Sequence, residues 1–297
     1  MNFGELLTAS QMDGGIDDPK KKKVPTKAEE MKVLYKKPFK YDNKPAHELT
    51  RTVAEKMGVD PSMLFSSAFQ EGLNQYLSNP DAVEKTMQKE GWYNKDYPVS
   101  GYETYGLDTF GSRFDEFVQK GYLPPEFKDQ FNIVHATNDH MKGVVDPITK
   151  KAVIDPKTGK QKMIDDPQPI VTADFKTNEA ALMAKAAFIK AEQESVKNYA
   201  KQKGVELSPD EINYFTLASY NSGFRPKGAQ GMMDEYLTTK DKQGYLKKGS
   251  ANRGWQNIHQ NVAPRLETMK VVNQLYAQNP LGVPAPPPTP IQQPIIQ

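Results

Sequence analysis

Residues 58–74 read GVDPSMLFSSAFQEGLN. Asp60 is a strong helix N-cap, Pro61 suits the first helical position, and apolar residues recur at 64, 65, 68, 69, 73 and 76. The pattern predicts a helix with a broad apolar stripe. At about 100° per residue the stripe centres between Leu64 and Phe69, and Glu71 falls at its edge, beside Leu64 and Gln75. A carboxyl in that position is partly desolvated yet open to a cleft. Desolvation disfavours the ionised form and keeps a proton available near neutral pH, as a general acid at a glycosidic oxygen requires. The same position also suits a flank glutamate with its head in water.

The neighbouring segments extend the helical pattern. AHELTRTVAEKMG places Leu49, Val53 and Met57 at helical spacing and stops at Gly58. PDAVEKTMQKEG follows with Asn79 as its cap. Residues 91–112, GWYNKDYPVSGYETYGLDTFGS, are rich in glycine and aromatics without a period, and are expected to form a loop lining a groove. Helical patterns resume in SRFDEFVQKG and PPEFKDQFNIVHATNDH. Then VVDPITKK, VIDPKTGK and MIDDPQ repeat an apolar pair followed by Asp-Pro turn chemistry, so residues 143–172 read as a small β-hairpin or three-stranded flap. NEAALMAKAAFIKAEQESVKNYAKQKG is an alanine-rich helix, capped by Asn178 and ended by Gly204. SPDEINYFTLASYNSG opens with a Ser208–Glu211 capping box and breaks at Asn221-Ser222-Gly223. A last helix is expected over about 262–278.

Three of these segments, in order, carry a resemblance. GVDPSMLFSSAFQEGLN resembles the first motif of the soluble lytic transglycosylases and goose-type lysozymes, in which a Val-Asp-Pro start leads into an apolar helix ending at the catalytic Glu. YGLDTFG at 105–111 resembles their Gly-Leu-Met-Gln motif, and ASYNSG at 218–223 their Ala-Tyr-Asn-x-Gly motif. APRLETMKVVNQLY looks like their closing helix. The resemblance covers residues 46–278, interrupted by the β insertion. It implies a lysozyme-like helical domain; with the small β-hairpin insertion and the flexible termini read from the residues themselves, the expected fold is mainly α.

It also implies a peptidoglycan-cleaving lytic transglycosylase or lysozyme (muramidase), acting on the β-1,4 bond between N-acetylmuramic acid and N-acetylglucosamine. Glu71 would protonate the leaving oxygen and then act as base. Tyr220 and Asn221 would orient that carboxyl and contact the saccharide, although Asn and Gly also suit a helix C-terminus. Gly106 and Leu107, with Tyr105, would line the glycan groove. Tyr93, Tyr97, Tyr102 and Tyr105 suit either stacking on sugars or packing of their own loop. The chain departs from the pattern at Gly72, where the family has Ser, and at Asp108-Thr109, where it has Met-Gln. Asp108 is a second catalytic candidate, positioning water for hydrolysis, unless it caps the next helix. The alternative reading is a catalytically silent structural or packaged virion protein that binds cell wall.

Composition sets the remaining bounds. The chain has 297 residues, a formal net charge of +2, 37% hydrophobic residues and no cysteine, with a mean hydropathy of −0.72. Disulfides and thiolate metal sites are excluded, and no run approaches the roughly 18 apolar residues of a membrane span. The four histidines show no metal motif, although His135 and His140 would meet on a helix. No metal or cofactor is expected. Residues 1–45 read as a flexible basic arm in which Lys20–Lys23 suits either solvent or phosphate contact, ordered only where Phe39 and Tyr41 find a groove. Nucleic acid is not the expected partner, because no aromatics interleave the basic run. Residues 279–297 read as a proline-rich tail. MNFGELLTASQMDGG has neither the basic start nor the apolar core of a signal peptide. The resemblance implies a peptidoglycan glycan strand as partner, and the missing signal peptide together with flexible ends suggests a bacteriophage virion-associated or lysis setting, with other virion proteins bound through the termini.

Overall fold

The computed structural model describes residues 27–138, 141–149, 151–166, 168–250 and 252–278. The basic run at Lys20–Lys23, the proline-rich tail and His140 lie outside them. The fold is mainly helical, with small antiparallel sheets. Before the main β region, residues 131–175, come α1 (Lys27–Leu34), α2 (Ala46–Met57), α3 (Pro61–Ala68), α4 (Asn74–Ser78), α5 (Pro80–Lys89), α6 (Gly101–Tyr105) and α7 (Phe110–Gln119). After it come α8 (Asn178–Gln202), α9 (Pro209–Ser222), α10 (Ala229–Thr238), α11 (Lys242–Lys248) and α12 (Arg253–Gln278). No described helix is long and apolar enough to cross a membrane.

Helix α8 is the central post, packed by α2, α3 and α9. Its buried alanines, among them Ala181, Ala184, Ala187 and Ala191, let these helices approach closely. Thr177 caps it: its hydroxyl accepts from the Ala180 N–H. The cap thus stands one residue before the expected Asn178, which is instead the first helical residue. The Asn178 side chain donates to Asp42 and accepts from the Tyr105 hydroxyl. The α9 capping box forms as read, and α9 ends at Gly223. Helix α12 begins earlier than the apolar period suggested and carries Pro264 inside it.

Three expectations are corrected. Residues 27–45 do not form an extended arm: α1 docks on the helical body, and Met31, Leu34, Tyr35 and Phe39 are buried in its core. Of the helical pattern read over 124–140, only Pro125–Gln130 is helical, as a short 3-10 helix; it leads into strand β2 (Phe131–Asn138), so His135 lies on a strand. Thirdly, the β region is larger than 143–172. Strand β2 pairs along its length with β5 (Gln168–Phe175), and β5 also pairs with β1 (Val99–Ser100), giving the order β1-β5-β2.

Above this sheet the chain forms a branched head. Its stem pairs β3 (Met141–Gly143) with β4 (Met163–Asp165). Val144 and Val153 bond each other, and both bond Lys162, so two short hairpin arms leave one junction. Each arm turns at the Asp-Pro read from sequence. The Asp146 carboxylate accepts from the Ile148 and Thr149 N–H groups, and Asp155 accepts from Lys157. Such side-chain bonds replace the ladder bonds that a turn leaves open.

Candidate active site

The site is built on the stretch that decides the fold. Asp60 accepts from the Ser62 and Met63 N–H groups at 2.7 and 3.3 Å, starting α3, and every residue from Ser62 to Ala68 is buried. Beyond Ala68 the helix widens into a π turn over Phe69–Leu73 and leaves helical geometry at Gly72. The glycine at that point has a visible cause. A Cβ on Gly72 would lie 2.0 Å from the Glu103 carbonyl oxygen, because the backbone of α6 rests on that glycine. Widened turns of this kind recur at functional sites. Here the turn leaves the Glu71 side chain 26% exposed, facing a cleft of about 470 Å³ lined by Glu30, Asn74, Gln75, Ser78, Asn79 and Glu103.

Two walls hold Glu71. On one side Arg265 of α12 donates from Nη2 to Glu71 Oε1, and its side chain is only 8% exposed. The same guanidinium donates from Nη1 to the Asn261 carbonyl at 2.6 Å, while its buried Nε has no hydrogen-bond partner among the described residues. The sequence reading placed the carboxyl against an apolar stripe; the structure gives it a cation. Gly106 forms the other wall. It follows α6 in the left-handed conformation (φ 59°), and a Cβ there would lie 2.8 Å from Glu71 Oε2. Glycine is needed twice over, for the backbone angle and for the close approach.

Behind Gly106 stand Tyr220 and Lys185. The Tyr220 hydroxyl donates to the Gly106 carbonyl at 2.8 Å. Lys185 of α8 is fully buried, and its Nζ donates to the Tyr105 carbonyl at 2.8 Å and to the Tyr220 hydroxyl. Burial lowers the Lys185 amine to about 7, with the charges of Glu71 and Asp108 opposing the shift and Arg265 adding to it. Asp174 of β5 positions α6 from below: its buried carboxyl accepts from the Gly101 N–H and the Ser100 hydroxyl. Burial pushes that carboxyl up to about 7.

The predicted residues divide. Glu71, Gly106, Asp108 and Tyr220 come together. Asp108 lies at the surface, its carboxyl raised first by partial desolvation and then by the Glu71 charge. It does not cap α7, whose N-cap position is Thr109 with no side-chain cap bond. Leu107 and Tyr105 cannot touch a saccharide with their side chains, because both are fully buried. Leu107 offers its carbonyl to the Thr172 hydroxyl, and the Tyr105 hydroxyl is spent on Asn178. These two hold the wall instead of lining it. Asn221 is exposed in the last turn of α9, and among the described contacts none ties it to Glu71. Of the loop tyrosines, Tyr102 meets Trp92 edge to face at 6.2 Å and Tyr97 faces Lys176, so both pack locally.

Sequence reasoning missed Arg265 and Lys185. The lone lysine within ALMAKAAFI was a signal in hand, since an otherwise apolar helix face accepts a cation only at a cost. Arg265 had no comparable signal. Comparison of the chain with protein-family models, curated proteins and solved structures found no match in any of the three, so the assignment of this site stands on its geometry.

Proposed function

We propose that the chain cleaves the β-1,4 bond between N-acetylmuramic acid and N-acetylglucosamine in peptidoglycan, with Glu71 as general acid and base on a lysozyme-like scaffold. The observation that carries this reading is convergence. Residues taken from three separated motifs, Glu71, Gly106 and Tyr220, form one chain of contacts, and its first member, Glu71, lines a cleft. Amide and hydroxyl side chains line that cleft, as suits a sugar. Glu71 Oε2 lies against Gly106 while Oε1 meets Arg265, so the carboxyl is held in one orientation. Glu71 gives its proton to the bridging oxygen as the glycosidic bond breaks. Once the bond breaks, the resulting carboxylate removes a proton from the incoming oxygen, either water or the muramic acid 6-hydroxyl. Asp108 stands close enough for its titration to sense Glu71, and is the group available to position water.

Digestion of purified peptidoglycan tests the reading, with products identified by mass spectrometry. Reducing ends identify a muramidase and anhydro-muropeptides a lytic transglycosylase. Glu71→Gln removes the titrating group and keeps the shape, so product release is expected to fall about a hundredfold or more. Unchanged release in that variant removes Glu71 from the mechanism. The Arg265 ion pair favours a second reading, cell-wall binding without turnover, which predicts peptidoglycan pull-down with no soluble product. A bacteriophage particle is the setting that accompanies either reading, checked by proteomics of purified virions.

A further inference from the structure

Lys185 has no place in the chemistry above, yet it is a fully buried amine beside the site. Its neighbours on α8, Ala181, Leu182, Ala184, Ala186 and Ala187, are buried with it. An ammonium in such surroundings is destabilising unless paired, and among the described contacts Nζ meets no carboxylate. It has instead the Tyr105 carbonyl at 2.8 Å, the Tyr220 hydroxyl at 2.5 Å and the face of the Tyr220 ring at 4.0 Å. The two bonds capture successive carbonyls at the C-terminal end of α6. Lys185 holds that of Tyr105 directly. Through the Tyr220 hydroxyl, which donates onward at 2.8 Å, it holds that of Gly106. A cation at a helix C-terminus also opposes the partial negative charge of its open carbonyls.

We propose that Lys185 is a positioning residue: it clamps the turn after α6 and so keeps the Gly106 backbone pressed against the Glu71 carboxyl. Gly106 is where that clamp reaches the chemistry, since no atom larger than hydrogen fits between its Cα and Glu71. The groups facing Lys185 are Glu71 from the π turn, Asp108 after α6, Tyr105 from α6, Tyr220 from α9 and Arg265 from α12. Glu192, on α8 itself, acts on Tyr220 and is held by Ser219 and Arg113. Loss of the Lys185 proton weakens both carbonyl bonds, which places an alkaline limb on the rate. The effect on rate rests on the glycosidase reading; the effect on the Glu71 carboxyl does not.

The absence of cysteine makes the test clean. Lys185→Met keeps the length and apolar bulk without the charge. Lys185→Cys, alkylated with bromoethylamine while unfolded and then refolded beside a wild-type control, restores a lysine analogue whose amine titrates lower. In Lys185→Met, melting is expected at or above the wild-type temperature. The kcat is expected to fall about tenfold or more with KM within about twofold, the mark of lost positioning without lost binding. The alkylated protein recovers the rate, with its alkaline limb moved to lower pH. The proposal is overturned if Lys185→Met turns over like wild type, or if it melts lower and alkylation restores melting but not rate. If wild type itself releases no product, the glycosidase reading falls. The clamp is then judged from the 13C carboxyl resonance of Glu71, identified by its loss in Glu71→Gln. A shift of that resonance in Lys185→Met supports the clamp, and an unmoved one overturns it.

Discussion

A serine at position 72 should harm this protein. In the motif that residues 58–74 resemble, Ser follows the acid; here it is Gly72, and a Cβ there would lie 2.0 Å from the Glu103 carbonyl oxygen. An unforced carbon–oxygen contact is about 3.3 Å, so Gly72→Ser or Gly72→Ala requires a local retreat of about 1.3 Å. The obstacle is backbone, and α6 is fixed by Asp174 at its start and by Lys185 at its end. Forcing atoms into a packed interior costs about 1–3 kcal/mol, and with the backbone displaced the upper figure applies. At about 2–4 °C per kcal/mol for a chain somewhat shorter than this, melting should fall by about 6–12 °C. Relief of glycine's unfolded-state entropy, about 0.4–1 kcal/mol in the other direction, does not reverse the sign. Calorimetric melts of wild type and both variants make the measurement, alongside peptidoglycan digestion. Melting unchanged or raised, or faster digestion by the serine variant, would refute the claim that close packing of α6 dictates Gly72.

Further outcomes follow from the same geometry. Gly106→Ala meets a left-handed backbone penalty of about 1–2 kcal/mol and drives a methyl into Glu71; melting should fall by a few degrees and turnover by about tenfold or more, whereas full turnover would mean Glu71 is not held there. Asp174 should set a stability slope. Its native carboxyl titrates at about 7 against an ordinary 3.8, so the folded state keeps the proton longer, and stability falls as pH rises between these values, then levels off. Urea midpoints at pH 5 and 7.5 should differ more in wild type than in Asp174→Asn, and equal differences would remove Asp174 as the cause. The Lys185 window, between about 7 and 10.5 with stability rising with pH, lies above that range.

The helices with local signals were legible. Asp60, Asn79 and the Ser208–Glu211 box all cap as read, because capping is decided within four residues. The strand β2 was not, since FNIVHATN carries no alternation strong enough to outweigh the helical pattern before it; its pairing with β5 across the chain decides its form. Residues 27–45 failed for another reason. Met31, Leu34 and Tyr35 do have helical spacing, but intervening lysines hid it, and long lysine stems lie over apolar surface while their heads stay wet. In the site, Glu71, Gly106 and Tyr220 were readable from motif resemblance, whereas the Arg265 contact comes from the packing of α12 on α3. That packing is non-local, and no short stretch encodes it.

The branched β head leaves and re-enters the sheet at one place: Asn138 is opposite Gln168, the last pair of the β2–β5 ladder. Because its two ends are neighbours, the head is a portable unit, one that could be trimmed to a short turn or grafted onto another hairpin without cutting the ladder beneath it. The sheet below would still deliver Thr172 to the Leu107 carbonyl and Asp174 to the start of α6. The head can therefore be exchanged while the wall that holds Glu71 stays in place.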